Sequence, residues 1–195
     1  MGYSSCIFII SGPSGVGKNT LISKIINDPE INIVRNISTT TRAKRENEID
    51  GVDYYFTTQH EFQKKIENHQ LLEWTIYSKN YYGTTQESIE HVLGLAKNII
   101  LEIEVDGARQ VIDSYGDKYP LRTIFLMPPS LTVLKQRLIE RNLNQSEDIE
   151  RRLEIAKNEI EHSHFYNHVI IMDDLEKEFY NLKAYILNEI KNINH

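Results

Sequence analysis

The stretch Ile7-Phe8-Ile9-Ile10-Ser11-Gly12-Pro13-Ser14-Gly15-Val16-Gly17-Lys18-Asn19-Thr20 constrains the fold of this chain more than any other. Four consecutive apolar residues read as a strand buried on both faces. A glycine-rich turn follows, and Leu21, Ile22, Ile25 and Ile26 then fall at helical spacing. Gly12-x-x-x-x-Gly17-Lys18 is the P-loop spacing. Glycines lack a Cβ, so the loop can curl until its amide N–H groups converge at the positive end of the following helix, which suits a phosphate. Lys18 adds a point charge for the outer phosphates. Gly12, Pro13, Ser14, Gly15, Val16, Gly17, Lys18, Asn19 and Thr20 are therefore expected to cradle nucleotide phosphates. Asn19 stands where such loops usually offer a Ser or Thr hydroxyl to Mg²⁺, and Thr20 is the next hydroxyl along.

The 195 residues suffice for one compact domain. A net charge of −6 argues against a general nucleic-acid binder, which would be basic. The single Cys6 excludes an intramolecular disulfide and sits at the start of the buried strand, where it reads as a small core residue. No apolar run reaches the length of a membrane span, and Met1-Gly2-Tyr3-Ser4-Ser5 is no signal peptide, so the cytoplasm is expected.

Beyond the first helix, Asn27-Asp28-Pro29 breaks the pattern and Ile31 to Ile37 reads as extended. A polar segment with three cations, Arg42, Lys44 and Arg45, runs to a turn at Asp50-Gly51 and an aromatic strand. Thr58-x-x-Glu61 and Thr84-x-x-Glu87 both have capping-box spacing. Between them, Leu71–Tyr77 and Asn80–Gly83 read as a hairpin across Ser78-Lys79. Residues 37–88 thus read as a small, mostly β insertion. Asn98 to Gly107 reads as a core strand ending in acids, with Glu102 and Glu104 on one face near its carboxyl end. Thr123–Met127 is the next strand, and Ser130 can cap the helix that bears Arg137 and Arg141. Ser146 restarts a helix bearing Arg151 and Arg152. Val169–Met172 reads as a last buried strand before an amphipathic helix with Leu175, Phe179, Leu182, Ile186, Ile190 and Ile193 on one stripe. Alternating strands and helices indicate a three-layer α/β fold around a parallel sheet. The seven histidines show no spacing that favours a metal site.

These residues resemble the guanylate kinase family over essentially the whole chain. The resemblance rests on the P-loop, on Ser38-x-x-x-Arg42-x-x-Arg45-x-x-Glu48-x-x-Gly51-x-Asp53-Tyr54, on Glu73-Trp74 and on Tyr81-Tyr82-Gly83-Thr84. Met127-Pro128-Pro129-Ser130 followed by Arg137, Arg141 and Arg152 completes it. It implies a P-loop kinase fold in one domain: a core (1–36, 89–130, 154–195), a GMP-binding insertion (37–88) and a helical lid (131–153). The implied reaction is ATP + GMP ⇌ ADP + GDP, with dGMP also accepted, in purine nucleotide metabolism. Mg²⁺ would be held mainly through phosphates and water, with Asn19, Thr20 or Glu104 as protein candidates. Nucleic acid, membrane and an obligatory protein partner are not implied.

The residue chemistry agrees with that resemblance. Guanine presents two adjacent donors, N1–H and the N2 amino group, beside the O6 acceptor. A carboxylate such as Glu73 can accept both donors, while Ser38 and Thr84 can donate to O6. The GMP phosphate suits the guanidinium forks of Arg42 and Arg45 and the phenols of Tyr54 and Tyr82, with Glu48 orienting the arginines. Lys18, Arg42, Arg137, Arg141 and Arg152 would neutralise charge during transfer. Glu102 and Glu104 would hold Mg²⁺ through water or contact the GMP sugar and base, and Arg151 competes with Arg152 for the inward face. Three positions depart from the family pattern: Glu104 where Asp is usual, Asn142 where the lid usually has Gly, and Met172 for a common Asn. Two other readings remain open, a kinase for another acceptor and a catalytically silent interaction module. Clusters of cations on the insertion and on the lid would repel across an empty cleft and hold it open.

Overall fold

A computed structural model describes residues 5–77, 79–140 and 146–193. Arg141 and Asn142 therefore lie outside the described residues, as does Ser78. The first strand, β1 (Ile7–Ser11), is completely buried and runs into the glycine-rich turn and α1 (Lys18–Ile26). The remaining core strands are β2 (Ile33–Arg35), β7 (Asn98–Glu102), β8 (Leu121–Met127) and β9 (His168–Ile171). They lie in the order β2-β7-β1-β8-β9, every neighbouring pair parallel.

Period-two alternation along β1 feeds two cores. Phe8 and Ile10 pack with Leu21, Ile22 and Ile25 of α1 and with Leu182 and Ile186 of α7 (Leu175–Ile193). Ile7 and Ile9 point the other way, toward Ile89 of α3 (Gln86–Gly94) and Val105, Ala108 and Val111 of α4 (Val105–Tyr115). Helices therefore cover both faces of a parallel sheet, the expected three layers. Cys6 is buried beside this sheet, and burial pushes its thiol up to about 12.

A second, mixed sheet is built from β3 (Thr39–Thr40), β4 (Tyr55–Phe56), β5 (Leu71–Tyr77) and β6 (Asn80–Thr85), in the order β4-β3-β6-β5. β5 and β6 form the expected antiparallel hairpin, with Lys79 at φ 68° in its turn. Within this region α2 (Gln59–Glu67) starts on the expected capping box: Thr58 Oγ1 accepts from the Glu61 N–H, and the Glu61 carboxylate accepts from the Thr58 N–H. After β8, α5 (Leu131–Glu140) begins with Ser130 Oγ accepting from the Val133 N–H. It packs on α6 (Ser146–Glu161) through a small apolar cluster of its own, Leu134, Leu138, Ile149, Leu153 and Ala156.

Three expectations need correction. The helix after β6 is capped by Thr85, whose hydroxyl accepts from the Ser88 N–H, and not by Thr84, which stays in the strand. β7 ends at Glu102, so Glu104 does not share its face; Glu104 occupies the N-cap position of α4. β9 is not buried on both sides: it lies at the sheet edge, with Val169 40% and Ile171 55% exposed while Ile170 and Met172 are covered.

Candidate functional site

The carboxyl ends of β1, β2 and β7 and one face of the small sheet border an open cavity of about 630 Å³. Open α/β sheets bind ligands at this end. Of the expected residues, Gly12, Ser14, Gly15, Gly17, Lys18, Asn19, Ser38, Arg45, Tyr54, Glu73, Tyr82, Glu102, Glu104 and Arg152 line it. Val16, Thr20 and Arg137 border a shallower hollow of about 300 Å³ on the other side of the loop, beside Met172 and Asp173.

The loop geometry follows from its glycines. Gly12, Gly15 and Gly17 have φ of 150°, 89° and 113°, and a Cβ on Gly12 would lie 2.3 Å from the Leu126 carbonyl oxygen. Only this tight approach to β8 brings the loop over the sheet. Pro13 closes its turn by accepting from the Val16 N–H at 3.1 Å. Lys18 Nζ donates to the carbonyls of Gly12 (2.5 Å) and Pro13 (3.1 Å), which places the ammonium in the mouth of the loop. Arg137 donates to the Val16 and Met172 carbonyls at 3.1 and 2.9 Å. It therefore braces the loop from the side of the shallow hollow and does not reach the larger cavity.

α6 points one face at the loop. Arg152 donates to Ser14 Oγ (3.0 Å) and to Asp148 (2.7 Å), while Arg151 donates to Asp148 at 2.7 Å and to the Tyr77 phenol. Of the two arginines, Arg152 is the one that lines the cavity. Ile155 and Glu159, three and seven residues on, share its face and line the cavity too. Burial pushes the Glu159 carboxyl up to about 7 against the pull of Lys18, with Glu104 and Asp106 adding to the rise. The Glu104 carboxyl is raised for the same reason, burial, again opposed by Lys18. Sequence reasoning passed over Glu159; its spacing from Arg152 was the available signal.

On the opposite wall, Glu48 accepts from Arg42 through both oxygens, at 2.7 and 3.0 Å, and from the Arg45 N–H at 2.9 Å. The Arg42 guanidinium also lies over the rings of Tyr54 and Phe56. These bonds, Arg42 first, hold the Glu48 carboxyl down at about 2. Arg42, Glu48 and Thr84 form the layer behind the cavity wall and do not line it. Burial raises the Tyr54 phenol pKa, as do Glu102 and Tyr82, while Arg35 and then Arg42 oppose the rise. The expected repulsion between cationic clusters is muted, because Arg42 is paired with Glu48 and Arg152 with Asp148.

Glu73 is the least ordinary group of the site. It lies on β5, 4% exposed, directly opposite Thr84, which offers the carboxylate both its hydroxyl and its backbone N–H. Burial pushes Glu73 up to about 7, Thr84 restrains the rise, and Glu104 adds to it. The single hydroxyl proton of Thr84 is spent on Glu73, so Ser38 is left as the donor for a ring carbonyl. Room for the carboxylate comes from Gly107 in the first turn of α4: a Cβ there would stand 2.9 Å from Glu73 Oε2. Gly107 carried no sequence signal, since nothing local marks a glycine that serves a distant side chain.

The glycine-rich loop with Lys18 and the buried, hydrogen-bonded Glu73 line one cavity. The family model described as guanylate kinase matches residues 4–189. The chain belongs to the guanylate kinase family. It is 44% identical over 181 residues to the guanylate kinase of Mycoplasmoides gallisepticum, covering 93% of this chain and 91% of that one. Against the guanylate kinase of Bacillus subtilis it is 42% identical, covering 94% and 88%. The crystal structure of guanylate kinase from Anaplasma phagocytophilum superposes with a TM-score of 0.73 at 29% identity, covering 95% of this chain and 86% of that one. Among the described residues no helix is long and apolar enough to cross a membrane.

Proposed function

We propose that this guanylate kinase transfers the γ-phosphoryl group of ATP to GMP, and to dGMP, in the cytoplasm. The observation that carries the reading is the buried Glu73 carboxylate, set in the same cavity as the Lys18 loop. In this reading Glu73 accepts N1–H and N2–H of guanine, Ser38 donates to O6, and Thr84 steadies Glu73. The GMP phosphate meets Arg45, Tyr54 and Tyr82, with the charge of Arg42, fixed by Glu48, behind them. ATP phosphates occupy the loop from Gly12 to Thr20, with the nucleoside over the shallow hollow beside Arg137. Transfer asks the protein chiefly for alignment of two anions and for fixed positive charge, which Lys18 and Arg152 supply at the loop. We further propose the division into a core (1–36, 89–130, 154–195), a GMP-binding insertion (37–88) and a lid (131–153). The small sheet lying wholly between Thr39 and Thr85, and the separate apolar contact of α5 with α6, support it.

Mg²⁺ fits this donor set. A hard cation that keeps several waters needs only one or two carboxylates beside the phosphates. Glu104, held near Lys18, would supply one. Asn19 Oδ1 already accepts from Arg35 at 3.1 Å, and Thr20 faces the shallow hollow, so neither is the better protein ligand. The ion would neutralise charge on the phosphate oxygens.

A coupled assay with ATP, Mg²⁺ and a panel of acceptors tests the reading. GMP and dGMP should turn over and AMP should not. Turnover of AMP comparable to GMP would make it a kinase for another acceptor, and none with any acceptor would make it a silent module.

Titration of Glu73 gives a pH dependence with opposite signs for binding and folding. Guanine needs the carboxylate, so guanosine affinity should fall about tenfold per pH unit below about 7 and level off above it. Guanosine is the probe because the phosphate of GMP itself titrates at about 6. The fold prefers the neutral acid, because the folded pKa is raised. That contribution to stability is complete below the ordinary value of 4.5 and is lost as pH rises through about 7. A flat affinity profile in calorimetry between about pH 6 and 8, one unit either side of the shifted value, would remove Glu73 from guanine recognition.

Gly107→Ala should separate binding from stability. The added methyl crowds the tip of Glu73, with Ile103 Cβ at an ordinary 3.5 Å, and Ala is a better helix residue than Gly by up to about 0.5–1 kcal/mol. Tm should hold or rise while GMP binding weakens on the order of tenfold, as for one charged hydrogen bond lost. Unchanged GMP affinity would show that Glu73 has other room.

A further inference from the structure

Arg35 ends β2 at the carboxyl edge of the parallel sheet, beside β7 in the register Arg35–Ile100. Its Nη2 donates to Glu102 Oε2 at 2.6 Å and to Asn19 Oδ1 at 3.1 Å. Among the described residues both of these bonds fall on one nitrogen of a group with five N–H donors in a rigid fork. The arginine stands where the two halves of the cavity meet: Asn19 follows the loop lysine, while Arg45, Tyr54 and Tyr82 line the wall on its other side. Arg35 opposes the raised pKa of the Tyr54 phenol more than Arg42 does, although the Arg42 guanidinium lies over that ring at 5.4 Å. Its side chain is 39% exposed, and an ion pair so open to solvent contributes little to stability. As in the pair of Arg42 and Glu48, a carboxylate holds the guanidinium, but Arg35 itself lines the cavity while Arg42 lies behind its wall.

We propose that Arg35 is a further binding residue for the acceptor phosphate, with Glu102 and Asn19 as the residues that position its fork. This rests on the placement of GMP proposed above. It also gives Asn19 a task in place of the metal-ligating hydroxyl: its amide oxygen anchors a fixed cation at the seam. The guanidinium would meet a phosphate oxygen by charge-assisted N–H···O bonds, which a lysine at the same position could make only singly.

The test is a comparison of GMP with guanosine, which differ only in the phosphate, by calorimetry in the absence of ATP and Mg²⁺. Arg35→Met should weaken GMP about 10- to 100-fold and leave guanosine within about twofold. Arg35→Lys should fall between, and Asn19→Ala should cost GMP less than Arg35→Met does, again sparing guanosine. An equal loss for GMP and guanosine would make Arg35 a prop for the wall, and an unchanged GMP affinity would also overturn the proposal. Arg35→Lys decides the matter by the same criterion if the Met variant does not fold. Wild-type protein that binds GMP no better than guanosine would instead defeat the substrate reading itself, and this inference with it.

Discussion

Lys18→Met is expected to lower kcat by about three orders of magnitude with Tm almost unmoved, the scale seen when one preorganised charge is removed from a transition state. The Lys18 ammonium sits 2.5 Å from the Gly12 carbonyl in the mouth of the loop and lines the cavity, so it fills no core. Met keeps the length of the stem and removes the charge. Loop geometry should survive, because the φ angles of Gly12, Gly15 and Gly17 and the Pro13–Val16 turn do not depend on the lysine. The loss should fall on the chemical step more than on GMP affinity. Lys18 also holds down the raised carboxyls of Glu104 and Glu159, so both should protonate more readily in the variant. Steady-state kinetics at saturating ATP and GMP, with thermal melts alongside, measure this. Turnover within a few-fold of wild type would remove the loop from catalysis.

What sequence could and could not convey divides along physical lines. The phosphate loop was legible because each of its requirements, strand, glycines, lysine and helix, is local. The capping box at Thr58 was legible for the same reason. At Thr84 the identical spacing misled, because Thr84 and Thr85 are adjacent hydroxyls and pairing with Glu73 keeps the first in β6, which shifts the cap by one residue. The apolar run at Val169–Met172 could not reveal that β9 is an edge, since burial of its second face depends on a neighbour the run does not encode. Glu102 and Glu104 were placed on one strand face because the point where β7 gives way to α4 is not marked by any residue type. Arg35, Gly107 and Glu159 act on partners far away in the chain. A lone arginine, a glycine and a glutamate each have an ordinary surface or helix reading until their partners are seen.

Glu73 should set base selectivity, with AMP rejected relative to GMP by ~10⁴–10⁵ in kcat/KM, as at sites whose buried polar groups an analogue leaves unpaired. Adenine offers a lone pair at N1, no amino group at C2, and an amino group where guanine has O6. The Glu73 carboxylate is 4% exposed, so an unmatched lone pair there finds no water. The Ser38 hydroxyl would face a second donor. Glu73→Gln keeps the shape while exchanging one acceptor for a donor. Guanine then loses a charged hydrogen bond, costing ~1.5–3 kcal/mol, on the order of ten- to a hundredfold in rate. The amide does not titrate, so the pH dependence of guanosine binding should vanish with it. The KM for ATP should hardly move, because Lys18 and the glycine loop lie on the other side of the cavity. IMP separates the two donors: it retains N1–H and lacks the amino group, so its disadvantage against GMP should shrink in the variant. Kinetics of both proteins with GMP, dGMP, IMP and AMP supply the comparison. Wild-type use of AMP at a rate near that of GMP, or equal impairment of the variant toward ATP, would show that guanine is read elsewhere.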